Sequence, residues 1–286
     1  MKPWLVRAPD HLGDGLMARP CINALAKSHP LVVVAPKWGP VLYPFDGIQH
    51  CLPGTRPPSE MAILLKPSFG AAWRHRHYLN RIGIAFQHRK WLLTEALPVI
   101  EEHRIDGFNR IALSLGVKAE PIPRFPSVPT ETKYDVVFVV GTASPVTVQY
   151  KKFAALAQAL PSQMHCLAIG GPGDEKILTQ LATHLPNVMG DCTLQEVANH
   201  AASAKWMIGL DSGLSHLASA ARFEAGHPIS TSIIIYGSTD PARTGPRHSS
   251  AILPPALSCW PCYSKRCHKF TPCLEHPIEN ILSHIQ

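Results

Sequence analysis

The chain has no uninterrupted apolar run approaching the roughly 18 residues that a membrane-spanning helix needs, so a helical membrane protein is not expected. Lys2-Pro-Trp-Leu-Val-Arg7 passes straight into a strand-like segment, so no secretory leader is expected and a cytoplasmic location is the expectation. No internal repeat or low-complexity tract stands out. A complete dinucleotide fingerprint is missing: Gly13 and Gly15 are followed by Ala18 where a third glycine belongs. Asp10 and Asp14 in the same stretch would repel a pyrophosphate, so a nicotinamide dehydrogenase is not expected. The basic segments lack both the aromatic interleaving of a single-strand binder and any helix-turn-helix or finger pattern, and nucleic acid is not an expected partner.

What is present is an ordinary globular composition, 45% hydrophobic over 286 residues, enough for one large domain or two of usual size. The formal charge of +7 is carried by the first half: residues 1–130 hold 16 Lys and Arg against 9 Asp and Glu, and the remainder balances at 11 each. Much of the excess lies in Arg74-His-Arg76-His-Tyr-Leu-Asn-Arg81 and His88-Arg89-Lys90, a pattern that suits either a solvated face or an anionic partner. Strand-like runs at 4–7, 31–35, 61–65, 134–140, 166–170, 206–210 and 231–236 alternate with helical patterns at 16–27, 151–160, 175–184 and 194–202. That alternation predicts βαβ units and parallel sheets. The four prolines of Glu120-Pro-Ile-Pro-Arg-Phe-Pro-Ser-Val-Pro129 read as a linker, giving an N-terminal domain over 1–125 and a C-terminal domain over 126–286. Two doubly wound domains are expected to bind ligands at the carboxyl ends of their strands.

The most informative stretch is Trp206-Met-Ile-Gly-Leu-Asp211-Ser212-Gly213-Leu214-Ser-His216-Leu-Ala-Ser-Ala220, which reads as strand, tight turn and small-residue helix. A helix start directed beyond a strand end presents unpaired N–H groups that favour an anion, and phosphate is the natural occupant. Ser212 offers a hydroxyl, Gly213 a close backbone approach, and His216 an imidazole N–H one turn on. The alternative reading is a plain N-cap. In the first turn of the chain, Asp10-His11-Leu-Gly-Asp14 carries two carboxylates; one of them can act as general base toward an acceptor hydroxyl, or Asp14 can simply cap the helix. Near the C-terminus, Cys259, Cys262, Cys267 and Cys273 suit a structural Zn site, or an Fe site, against the alternative of free thiols. Cys21, Cys51, Cys166 and Cys192 read as small core residues, and His75, His77, His88 and His103 as members of a solvated face.

His11-Leu-Gly-Asp14, Leu64-Leu-Lys-Pro-Ser68-Phe-Gly-Ala-Ala-Trp73 with Arg81-Ile-Gly83, Gly209-Leu-Asp211-Ser212-Gly213-Leu-Ser-His216 and Tyr236-Gly-Ser-Thr-Asp240-Pro-Ala-Arg243 occur in an order and spacing that resemble glycosyltransferase family 9, the ADP-heptose:lipopolysaccharide heptosyltransferases. The resemblance covers nearly the whole chain and implies a GT-B fold of two Rossmann-like domains. It further implies inverting, metal-independent transfer of heptose from ADP-heptose to a lipopolysaccharide inner-core acceptor. Asp14 then corresponds to the general base. Thr142, Asp174, Glu175, Cys192, Asp211, Ser212, Gly213, Leu214 and His216 correspond to the donor site, and His11, Ser68, Arg74, Arg76 and Arg81 to the acceptor side. The basic half is expected to face the phosphorylated lipid core, with peripheral contact at the anionic inner membrane. One position departs from the family: Val146 stands where a phosphate-binding lysine is usual. That departure keeps open a transferase for another nucleotide sugar or acceptor, and a non-catalytic homologue that only binds.

Overall fold

Continuous apolar runs rather than alternating ones form the central strands, because a parallel strand covered by helices on both faces buries every side chain. Val32 and Val33, Ala168 and Ile169, and Ile233 and Ile234 are all at or near zero exposure. The computed structural model describes residues 2–126, 131–141, 152–264, 267–269 and 271–285. It divides into two compact units, 1–123 and 124–286, and the division falls inside the proline-rich stretch.

The N-terminal unit runs β1 (Trp4–Arg7), α1 (Leu12–Ser28), β2 (Leu31–Val34), α2 (Gly39–Leu42), β3 (Ile48–Cys51), β4 (Met61–Leu64), α3 (Phe69–Arg74), β5 (Asn80–Ile84), β6 (Glu95–Leu97) and α4 (Arg104–Ser114). Its sheet has the order β3-β2-β1-β4-β5-β6, with every pairing parallel. The C-terminal unit follows with β7 (Tyr134–Val139), α5 (Phe153–Ala159), β8 (Cys166–Ile169), α6 (Glu175–Ala182), β9 (Asn187–Met189), α7 (Leu194–Ala202), β10 (Ala204–Leu210), α8 (Gly213–Glu224), β11 (Ser232–Ile235), α9 (Pro241–Thr244), β12 (Ser250–Ile252) and α10 (Ile278–Leu282). Its sheet, β12-β11-β10-β7-β8-β9, is likewise parallel throughout. Both units are therefore doubly wound α/β structures, as the alternation of strand and helix patterns predicts.

The strands absent from the sequence reading are β3, β5, β6, β9 and β12. Four of these are sheet edges of three or four residues, and β5 contains Asn80, Arg81 and Gly83, so none presents a continuous apolar run. Helix α1 starts at Leu12, four residues ahead of the expected Leu16. Glycines at 13 and 15 favour a turn on propensity alone, but packing decides otherwise. A Cβ on Gly15 would lie 2.5 Å from the Trp38 ring, and the Gly15 carbonyl accepts from the Tyr43 hydroxyl at 2.8 Å. Asp14 thus belongs to the first helical turn rather than to the loop before it.

Candidate functional site

In the C-terminal unit three loop ends converge around Gly141, two residues after β7. A Cβ there would sit 2.5 Å from Leu214, 3.2 Å from an Asp174 carboxylate oxygen and 3.3 Å from the Gly171 nitrogen, so only glycine lets the loops following β7, β8 and β10 approach this closely. Gly209, within β10, plays the same part for α8, since a Cβ would fall 2.3 Å from the Ser215 hydroxyl. The helix start is thereby pressed onto the strand end.

Ser212 is the N-cap of α8, its Oγ accepting from the Ser215 N–H at 3.3 Å. Of the two sequence alternatives, the cap is observed. The hydroxyl caps one N–H, while the N–H groups of Gly213 and Leu214 meet no protein acceptor among the described residues. Asp211 and His216 turn toward one another instead. His216 Nε2 lies 2.9 Å from Asp211 Oδ1, and the Thr239 hydroxyl donates to Oδ2. Burial alone would push the Asp211 carboxyl up, but the bonds from His216 and Thr239 hold it below the ordinary value. An ionised carboxylate only accepts, so the Nε2 atom carries the proton of that bond. The imidazole expected to donate to an anion is spent on Asp211 and is nearly inaccessible. Its part is to brace the turn.

Asp174 is buried, its Oδ2 accepting from the Gly171 N–H at 2.9 Å, and it shapes the Gly-Pro-Gly loop from within. Glu175, the first residue of α6, is exposed and accepts from the Gly173 N–H, and that bond holds its carboxyl below the usual range. Cys192 is half-buried, with its thiol pushed up first by burial and then by Glu196 and Asp191, immediately before the Thr193–Glu196 capping box of α7. Thr142 and Val146 lie outside the described residues.

The four C-terminal cysteines line one cavity of about 200 Å³ whose wall also includes Asp211 and Thr239. Trp260 donates through Nε1 to the Gly237 carbonyl at 2.9 Å, and the N–H groups of Cys262 and Tyr263 both reach the Ser238 carbonyl. The cysteine segment therefore holds the 237–239 loop that supplies Thr239 to Asp211. As a ligand set the thiols do not fit: among the described residues no three His, Cys, Asp or Glu side chains converge as a metal site requires. Among the described residues this geometry does not meet the expectation of a structural Zn or Fe.

His248 is a site residue without a sequence signal. It is buried beside His216, and its imidazole is pushed down to about 3, first by burial and then by that neighbour. A histidine kept neutral in the fold contributes stability above its unfolded value near 6.5, and this is lost as pH falls through the window from 6.5 toward 3. Between pH 7 and pH 5 the loss is about 2 kcal/mol. Urea unfolding at the two pH values measures it, and the difference shrinks by that amount in His248→Gln.

In the N-terminal unit, two carboxylates follow β1. Asp10 is clamped by Arg7 and Lys66; burial would raise its carboxyl, but the bonds from Lys66 and Arg7 lower it. Asp14, whose side chain is 23% exposed, pairs among the described residues with Arg104, whose Nε lies 3.6 Å from Oδ1. It is not the helix cap, a position held by His11, which is exposed and makes no side-chain cap bond. Arg104, at the start of α4, carries no motif by which sequence reasoning could have found it.

Ser68 caps α3 through Ala71 N–H at 3.2 Å. Arg81 spends its donors on the carbonyls of Tyr78, Leu79 and Leu92, whereas Arg74 and Arg76 are exposed. Two residues read as surface charge or solvated face are interior. Arg89 is fully buried on the carbonyls of Leu64, Lys66 and Ile84, and His75 is 1% exposed. In each case the polar atoms found carbonyls left at strand and helix ends, which a linear reading cannot locate.

The family model described as glycosyltransferase family 9 (heptosyltransferase) matches residues 119–271. No curated protein matches by sequence. Among solved structures, E. coli ADP-heptose lps heptosyltransferase II is similar at 18% identity and a TM-score of 0.71, covering 99% of this chain and 98% of its own. E. coli heptosyltransferase WaaC with ADP reaches a TM-score of 0.72 at 14% identity over 99% and 100%. The iron-containing dodecameric glycosyltransferase TibC from enterotoxigenic E. coli has a TM-score of 0.66 at 17% identity over 99% and 75%. The two parallel six-stranded sheets are those of the GT-B heptosyltransferase structures.

Proposed function

The chain belongs to glycosyltransferase family 9 and is a glycosyltransferase, and from that premise we propose that it moves heptose from ADP-heptose to a lipopolysaccharide inner-core acceptor, in lipopolysaccharide biosynthesis. The single observation that carries the donor half of this reading is the start of α8. There Gly213 and Leu214 keep their N–H groups unengaged next to the Ser212 hydroxyl, as a diphosphate requires. Asp211 and His216 hold the turn rigid behind those donors. Glu175, the exposed carboxylate at the start of α6, is assigned to the ribose hydroxyls, and the backbone around Cys192 to the adenine. The solved neighbour with ADP supports the choice of nucleotide.

The reaction is a direct displacement. An acceptor hydroxyl attacks the anomeric carbon as the bond to the ADP β-phosphate oxygen breaks on the opposite face, so the configuration inverts. Asp14 takes the hydroxyl proton, and charge growing on the departing diphosphate is stabilised by preorganised N–H groups at the helix start. Arg74, Arg76 and His11 supply positive and polar groups for a phosphorylated acceptor.

Release of ADP from ADP-heptose, with heptose-deficient lipopolysaccharide core as acceptor, tests this reading. Acceptor-dependent release is expected; a protein that binds ADP but releases none with any core acceptor overturns the transfer and leaves a binding protein. One sequence observation favours a second reading. Val146 in place of the usual lysine points to a different nucleotide sugar, and tight calorimetric binding of a nucleotide other than ADP would select it.

A further inference from the structure

Among the described residues four non-glycine positions have φ in the left-handed region, and Gln87 and His88, at +50° and +57°, are the adjacent pair. The Arg89 N–H donates to the Phe86 carbonyl at 3.2 Å and closes a four-residue turn around them, with the φ pattern of a type I′ turn. Such a turn ordinarily takes asparagine and glycine, because a Cβ at positive φ crowds the backbone carbonyl. Two residues with full side chains therefore hold a strained backbone at the carboxyl end of β5, the end at which doubly wound units bind ligands. Arg89 supplies the restraint from beneath. Fully buried, its guanidinium donates to the carbonyls of Leu64, Lys66 and Ile84 at 3.3, 2.6 and 2.7 Å, and a Cβ on Gly83 would meet it at 2.9 Å. Lys66 in turn gives its ammonium to Asp10 and its N–H to the Arg7 carbonyl at 3.1 Å. The turn is thereby joined to the loop that follows β1 and leads to Asp14.

This restraint fixes the backbone but does not require Gln and His at its crest, since glycine would follow the same path without strain. What the strain preserves is the pair of side chains. Both are exposed, and among the described residues neither has a hydrogen-bond partner. We propose that Gln87 and His88 are specificity-determining residues that read the hydroxyls of the acceptor carbohydrate, an inference that rests on the proposed sugar transfer. An amide and a neutral imidazole each offer a donor and an acceptor, which matches a hydroxyl, itself both. Phe86, 46% exposed beside them, offers an apolar ring to the C–H face of the same sugar. In the order β1-β4-β5 the turn lies two strands from the end of β1, about 10 Å along the sheet edge. An oligosaccharide spans that distance, with one hydroxyl at Asp14 and a neighbouring sugar unit on the turn.

Acceptor-dependent ADP release is measured for Gln87→Ala/His88→Ala and Gln87→Gly/His88→Gly, with delipidated heptose-deficient core as the acceptor. The KM for the core is expected to rise about tenfold in both, while the KM for ADP-heptose stays within about twofold. The glycine pair melts close to the wild type, since relief of strain offsets the freer unfolded chain, so its weaker use of acceptor is not a loss of fold. An unchanged KM for the core, or an equal rise in both KM values, overturns the assignment and leaves the transfer intact. If the wild type releases no ADP with any core acceptor, the transfer reading fails, and calorimetry with the same core decides this one. Binding weakened about tenfold in both variants sustains it, and equal binding or none overturns it.

Discussion

Asp14→Ala is expected to lower kcat for acceptor-dependent ADP release by about 10²–10⁴-fold, the usual contribution of a positioned general base. Asp14→Asn gives the same loss, because the amide keeps the shape but cannot accept the proton. The choice between the two carboxylates after β1 rests on their surroundings. Asp10 is bound by two cations and gains little from taking a proton, whereas Asp14 is partly open with one long contact to Arg104. Losing the charge from the first turn of α1 costs only about 0.3–1 kcal/mol, so the variant folds. Calorimetry on the same protein should return an unchanged Kd for ADP. A rate near wild type would move the base to another residue.

Arg222→Met is expected to destabilise the C-terminal unit by about 3–5 kcal/mol, because it takes the shared donor from several buried carbonyls and hydroxyls. Arg222, in the last turn of α8, is fully buried. Its guanidinium bonds the carbonyls of Ala201, Ala204, Lys205 and Thr231 and the hydroxyls of Ser232 and Thr231. Burial pulls its ordinary value down to about 10, so it remains charged at neutral pH. It ties α8 to the α7–β10 turn and to β11. Deletion leaves several buried carbonyls unpaired at about 1–3 kcal/mol each, partly recovered by relaxation and water. Arg222→Lys restores less than about half, since an ammonium cannot spread over a fork of six acceptors. Urea unfolding measures both variants. ADP affinity falls in step with the folded fraction, because the same helix presents Ser212 and Gly213 at its other end.

These two residues mark how far a linear reading reaches. Asp14 stands out as a candidate because Gly-Asp-Gly follows a strand-like run, but the sequence places it in a turn, and the packing of Gly15 against Trp38 puts it in a helix. Arg222 was not legible, and Arg89 was misread, because each pairs with carbonyls brought near only by parallel strand crossovers. The strand–turn–helix at Asp211–Ser212–Gly213 was plain from residue types, yet the direction of the His216 ring was not. Its partner is Asp211, five residues back, and their pairing depends on the helix that intervenes. The cysteines show the reverse case: their spacing suggests ligands, and the fold gathers them on one cavity without converging their sulfurs.

By itself the sequence determined the quantities that are local or periodic. These are the buried parallel strands from continuous apolar runs, the helix start after β10 and the positive first half. Only the tertiary structure decided which cations are surface and which are interior, which carboxylate is open, and which aromatics the core leaves out. Those outcomes depend on contacts between residues far apart in the chain, where burial and hydrogen bonding outweigh the preferences of any one residue type.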